Sequence, residues 1–237
     1  PQGGGGGGVE RRPTVYDFLP ERMRVGHASG DPAGRKRSHP LWHAVGRLDL
    51  KTSGLLIVTN DGGLVHHVTN PAAAEQQKRG EITKTYRALC MGRLEEEALQ
   101  RLRDGVDLAG GLGWSRPAQV ELEGYEGRAK TRLRLTICEG KNRQIRRMLH
   151  AIQSGVLELE RVSIGGLTLD GIEEPGAWRA LTIEEVRRHL DYEPPPHSSG
   201  SMSVPSLSSP SSTRVATPSS RRRWAAGGIR RRKSRPR

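Results

Sequence analysis

Hydrophobic and polar positions alternate most regularly near the middle of the chain. Within Ala129–Cys138, Leu133, Leu135 and Ile137 fall on one side and Arg132, Arg134 and Thr136 on the other, the period-two pattern of a strand half buried against a core. Thr83–Met91 and Ala118–Glu123 read as further strands. Leu55-Leu-Ile-Val-Thr59 is a short apolar run ended by Asn60-Asp-Gly-Gly63, which predicts a buried strand leaving through a turn. Leu94–Arg103 predicts a helix, and so does Lys141–Gln153. At about 100° per residue, the second of these places Ile145, Met148, Leu149 and Ile152 on one face and Arg143, Arg146, Arg147 and His150 on the other. Thr182-Ile-Glu-Glu185 has capping-box spacing ahead of a last short helix through Leu190. Strands and helices are mixed without βαβ alternation, so the expected fold class is α+β.

Composition changes this picture mainly at the ends. The chain has 237 residues, 33% of them hydrophobic, enough for one packed core. Gly3–Gly8 is an unbroken glycine run with nothing to bury, and residues 1–10 are expected to be disordered. Residues 195–237 hold 12 Ser, 6 Pro and ten Lys or Arg with no acid, so a disordered basic tail is expected over 193–237 and a single folded domain over 11–192. That tail also disarms the formal net charge of +13 as an argument for nucleic-acid binding. Removing its ten bases from the 39 Lys and Arg leaves 29 against 26 acids, a body of about +3. Nucleic-acid binding by the folded part would therefore have to rest on local patches.

Cys90 and Cys138 stand far apart in hydrophobic surroundings, which predicts reduced thiols and a reducing compartment. No stretch approaches the length of a membrane span, and no membrane partner is expected. His66-His67 lacks the further ligands a zinc site needs, so no metal is expected. Gly110-Gly-Leu-Gly113 is followed by Trp114 rather than Gly-Lys-Ser or Gly-Lys-Thr, which makes it a hairpin turn and not a phosphate loop.

Two segments carry candidate chemistry. The Lys141–Gln153 helix follows Glu139-Gly140, so its free N–H groups and Lys141 are placed to meet a phosphate; a solvated basic face on a surface helix explains the same pattern. Gly46-Arg47-Leu48-Asp49-Leu50-Lys51-Thr52-Ser53-Gly54 precedes the apolar run, and its single acid, Asp49, is flanked by two bases. Alone, such an Asp is more often a turn-former or salt-bridge partner than a catalytic group. Tyr86, near Lys84 and Arg87 in a strand-like segment, reads either as a core tyrosine or as an aromatic that grips a flipped nucleotide.

Taken together and in order, these segments resemble the RsuA-like family of bacterial-type ribosomal RNA pseudouridine synthases. Gly46–Gly54 followed by Leu-Leu-Ile-Val-Thr-Asn-Asp-Gly62 is similar to that family's signature loop, Lys84-Thr-Tyr86 to its second motif, and Glu139-Gly-Lys-Asn-Arg-Gln-Ile-Arg-Arg-Met148 to its third. Weaker echoes such as Ile164-Gly-Gly-Leu167 and Trp178-Arg-Ala-Leu-Thr182 extend the resemblance over roughly residues 11–185. It implies a mixed, largely antiparallel sheet flanked by helices around an RNA-binding cleft. By position it makes Asp49 the catalytic carboxylate, Tyr86 the aromatic stacked on the uracil, Arg146 the cation paired with Asp49, and Ile145 an apolar wall. Arg47, Lys84, Lys141, Arg143, Gln144 and Arg147 become the further RNA contacts. The implied reaction is an isomerisation in which the base is retained, so no cofactor is expected; the expected partner is ribosomal RNA, bound by a monomer.

Family members typically begin with a small S4 RNA-binding domain and a short strand with a Lys-Pro-x-Gly turn, and neither is found before Arg12, so the amino end is expected to be truncated. That keeps a second expectation open, a catalytically idle RNA-binding or ribosome-assembly factor derived from the family. Cytoplasm is the expected location if the chain is bacterial, a plastid or mitochondrion if it is eukaryotic.

Overall fold

A computed structural model describes residues 13–20, 42–71, 80–172 and 174–195, which belong to a compact unit ending at Pro196. The glycine-rich segment expected over 1–10, and the expected tail beyond residue 195, lie outside the described residues. After a one-turn 3-10 helix at Val15–Phe18 come β1 (His43–Ala44), β2 (Ser53–Gly54), β3 (Val58–Thr59), α1 (Gly62–Thr69) and β4 (Lys84–Met91). Then follow α2 (Glu96–Asp104), β5 (Gln119–Tyr125), β6 (Lys130–Ile137), α3 (Gln144–Ala151), β7 (Val156–Ile164), β8 (Leu167–Thr168) and α4 (Ile183–Leu190). The main sheet runs β2-β7-β4-β6-β5, with β8 against the end of β7; among the described residues only β2 and β7 pair parallel. A separate two-stranded ladder joins β1 to β3. The α+β expectation holds, with a largely antiparallel sheet and four α-helices among the described residues.

The alternation read in the sequence becomes one covered sheet face. Leu133, Leu135 and Ile137 of β6 are at most 3% exposed and pack with Ala88 and Cys90 of β4, Leu99 and Leu102 of α2, and Ile145, Met148 and Leu149 of α3. On the opposite face, Arg87 and Arg134 share Glu123 across strands, at 3.4 and 2.7 Å. A second cluster gathers Val45, Leu55, Ile57, Leu64, Val68, Ile164, Leu167, Val186 and Leu190 under α1 and α4.

Three expectations need correction. The apolar run Leu55–Thr59 is not one buried strand. Leu55 and Ile57 are buried, but regular pairing is split between β2, which lies beside β7, and β3, which pairs with β1. The chain switches partners there, so no single ladder spans the run. Asn60-Asp-Gly-Gly63 does not merely turn. Asp61 caps α1, its carboxylate accepting from Gly63 N at 2.7 Å and Leu64 N at 3.3 Å, so the glycines open a helix. The Lys141–Gln153 helix is shorter, because Arg143 (φ 51°) before it and Gln153 (φ 61°) after it adopt left-handed backbone. The Thr182/Glu185 capping box forms as read, with reciprocal bonds of 3.1 and 2.8 Å.

Candidate active site

The loop from Gly46 to Gly54 begins and ends in the second apolar cluster, with Val45 and Leu55 as its buried anchors. Between them Asp49 closes a turn, its carbonyl accepting from Thr52 N at 2.8 Å. At its far end Gly54 (φ +106°) lies flat against β7. A Cβ there would sit 2.2 Å from the Arg161 carbonyl oxygen, which only glycine avoids. Leu55 N donates to that same oxygen at 2.7 Å, so the loop leaves along the sheet edge in fixed register.

From the other side, α3 brings Arg146 to the loop. Met148 and Leu149 hold the helix in the first cluster, and Arg146, only 13% exposed, crosses toward the second. Its Nε lies 3.7 Å from Asp49 Oδ2, and its Nη2 donates to Lys51 O at 2.6 Å and lies 3.4 Å from Thr52 Oγ1. Asp49 keeps 31% of its side chain accessible. The carboxylate thus lies in ion-pair contact with a largely buried guanidinium while staying open to a ligand. The expected pair therefore meets, although its two residues are 97 apart in the chain.

Tyr86 sits mid-sheet on β4, in register with Arg161 of β7 and Leu135 of β6, and packs half buried against the first cluster. Ile145 is buried in that same cluster. Lys84, two residues before Tyr86 and on the same face, is 7% exposed. Burial, and after it the charge of Arg161, push its ammonium below the usual lysine range. Arg47 and Arg143 are exposed.

The remaining expected RNA contacts are already engaged within the fold. Lys141 Nζ donates to Trp114 O at 2.6 Å and Leu112 O at 3.1 Å, clamping the turn at 107–114, which is the hairpin expected there. Arg147 bonds Leu108 O on the same hairpin at 3.1 Å. Gln144 is 4% exposed; its Oε1 accepts from Lys141 N at 2.9 Å and its Nε2 donates to Glu139, which closes the entry into α3. His66 and His67 point apart, to Asn70 and to Leu190 O, and among the described residues no group of three His, Cys, Asp or Glu is placed to hold a metal.

One residue beside the site was not found in the sequence. Arg161, 2% exposed, underlies the loop, its Nε donating to Leu55 O at 2.8 Å. Its signal was available in Leu157-Glu-Leu-Glu-Arg161, whose alternation predicts a strand with an arginine in phase with Leu159.

Comparison with known proteins places these observations. The family described as RNA pseudouridylate synthase matches residues 21–151, more than half of the chain. Ribosomal small subunit pseudouridine synthase A of Yersinia pestis is 39% identical over 144 residues, 61% of this chain and 56% of that protein. Ribosomal large subunit pseudouridine synthase B of Bacillus subtilis is 37% identical over 188 residues, 76% of this chain and 73% of that protein. A crystal structure of a pseudouridylate synthase superposes with a TM-score of 0.60 at 29% identity, covering 75% of this chain and 65% of the other. The chain thus spans a little over half the length of the small-subunit enzyme it matches.

Proposed function

The chain belongs to the RNA pseudouridylate synthase family, and from that premise we propose that it isomerises uridine to pseudouridine in ribosomal RNA with Asp49 as the catalytic carboxylate. The observation that carries this reading is the Asp49–Arg146 pair, formed between two cores with the acid still accessible.

Ionised Asp49 either attacks the ribose at C1′ or takes the C2′ proton. Both routes break the bond between N1 and C1′. The freed base turns in place, C5 bonds to C1′, and the C5 proton departs while N1 gains one, so no atom enters or leaves in net terms. Arg146 places its positive charge 3.7 Å from the Asp49 carboxylate. Tyr86, already half buried on the same sheet face as Lys84, supplies the flat surface on which the uracil stacks. Arg47 and Arg143, exposed on the Asp49 loop and at the start of α3, contact RNA phosphates, and the flipped nucleotide is received beside the accessible Asp49 carboxylate.

Because the C5 proton is lost, tritium at C5 of uridine in a ribosomal RNA transcript reports each turnover. Wild type releases tritium and Asp49→Asn releases none, while both bind the transcript alike. RNA affinity without tritium release from wild type would identify a binding factor and overturn the enzymatic reading.

A further inference from the structure

Arg161 occupies a position at which an apolar residue is expected. Leu159, two residues earlier on β7, lies in the first core, and Ile164 closes the strand in the second. Register places Arg161 between Gly54 of β2 and Tyr86 of β4, so its side chain shares the covered face with Tyr86. Burying a guanidinium costs several kcal/mol unless partners offset the loss of water, and Arg161 is 2% exposed.

Its partners are carbonyl oxygens. Nε donates to Leu55 O at 2.8 Å, Nη1 lies 3.5 Å from Arg47 O, and Nη2 is buried with no partner among the described residues. Arg47 O lies in the Asp49 loop before the acid, and Leu55 O belongs to the anchor that ends the loop. From the opposite side Arg146 takes Lys51 O at 2.6 Å. Two guanidiniums from different elements therefore grip two carbonyls of the loop and one of its Leu55 anchor, with Asp49 between the grips. Gly54 permits the close approach that brings β2 within reach of β7.

We propose that Arg161 is a positioning residue: it fixes the Asp49 loop on the sheet and so sets the direction in which the carboxylate faces the uridine. An apolar side chain at this place would fill the volume but leave Arg47 O and Leu55 O untethered. The proposal rests on Asp49 being the catalytic carboxylate, and its test separates the two. In the full chain, Arg161→Met keeps the apolar volume and removes every donor, whereas Arg161→Lys keeps the charge but loses the fork of separate guanidinium nitrogens that reaches the two carbonyls.

Hydrogen exchange of peptides spanning 46–56 is expected to quicken by about tenfold in Arg161→Met while peptides of β6 and α2 exchange as in wild type. The kcat for tritium release falls by about tenfold or more with KM unchanged, and Arg161→Lys recovers part of both losses. If Arg161→Met does not fold, Arg161→Lys carries the test through the same local quickening and kcat loss relative to wild type. Wild-type exchange over 46–56 with wild-type kcat overturns the proposal. So does a rise in KM alone, which would make Arg161 an RNA contact, or a kcat loss that follows uniform exchange across the chain. If wild type releases no tritium, the catalytic reading of Asp49 fails, and the exchange of 46–56 still decides whether Arg161 holds the loop.

Discussion

Replacing Gly54 with alanine tests the link between fold and site at one atom. The added Cβ would lie 2.2 Å from the Arg161 carbonyl oxygen and 2.6 Å from its amide nitrogen, both backbone atoms that cannot rotate away. Alanine at φ +106° adds strain of about 1–3 kcal/mol. Relieving the clash moves β2 off β7 and breaks the Leu55 N to Arg161 O bond of 2.7 Å, worth about 1 kcal/mol. The bond from the Arg161 guanidinium to Leu55 O goes with it, worth about 1.5–3 kcal/mol because its donor is charged. Gly54→Ala is therefore expected to cost about 3.5–7 kcal/mol, a large part of the stability of a typical domain. Urea unfolding followed by tryptophan fluorescence measures it, with Gly62→Ala as the matched control. Gly62 has ordinary backbone and nothing within 4 Å of its missing Cβ, so that change stays within about 1 kcal/mol of wild type. A Gly54→Ala protein with a wild-type urea midpoint and wild-type tritium release would refute the close packing of β2 on β7.

Three further predictions address other parts of the molecule. Arg146→Met removes the Asp49 partner and the bond to Lys51 O; since Lys51 is exposed and water replaces that bond, stability falls by only about 1–2 kcal/mol while kcat drops by about 10²-fold or more, and a folded variant with near-normal kcat contradicts this role. Asp61→Ala removes the cap of α1 and the acceptor of Tyr192 Oη at 2.8 Å, an expected loss of about 1–2 kcal/mol in urea unfolding with folding otherwise retained. Burial, reinforced by the hydrogen bond to Asp61, pushes the Tyr192 hydroxyl from 10.0 up to about 12, so between those values the folded protein holds a proton that the unfolded chain has released. That contribution to stability is whole below pH 10 and is lost as pH rises toward 12. Tyr192→Phe should flatten the fall of the urea midpoint in this window, the buried Cys90 thiol, also pushed up to about 12, accounting for part of what remains.

The sequence made some of these elements plain and hid others, for physical reasons. β6 and the covered face of α3 were readable because each buries one side of a regular element, and burial on one side leaves a period of two or 3.6 residues. The capping box before α4 was readable because its bonds are local. α1 was hidden because Gly62 and Gly63 look like a turn until the Asp61 carboxylate is seen capping them. β7, which lies between β2 and β4, carries the alternation Leu157-Glu-Leu-Glu160, but its inward row continues into Arg161, a charge where a core residue is expected, which obscures how far the strand runs. The Asp49–Arg146 meeting has no local signal at all. It follows from α3 packing in one core and the loop ends in another, and only the resemblance of three ordered motifs pointed to it beforehand. The basic face of α3 was legible as composition but not as geometry. Arg146 and Arg147 turn inward to carbonyls of the Asp49 loop and of the 107–114 hairpin, and Arg143 and His150 remain exposed.

The central claim is that Asp49 converts uridine in ribosomal RNA. Mapping pseudouridines across the ribosomal RNAs of the source organism, with the gene intact, deleted, and restored as wild type or as Asp49→Asn, tests it most directly. Deletion should remove at least one pseudouridine, which wild type restores and Asp49→Asn does not. An unchanged map after deletion, or full restoration by Asp49→Asn, would contradict it.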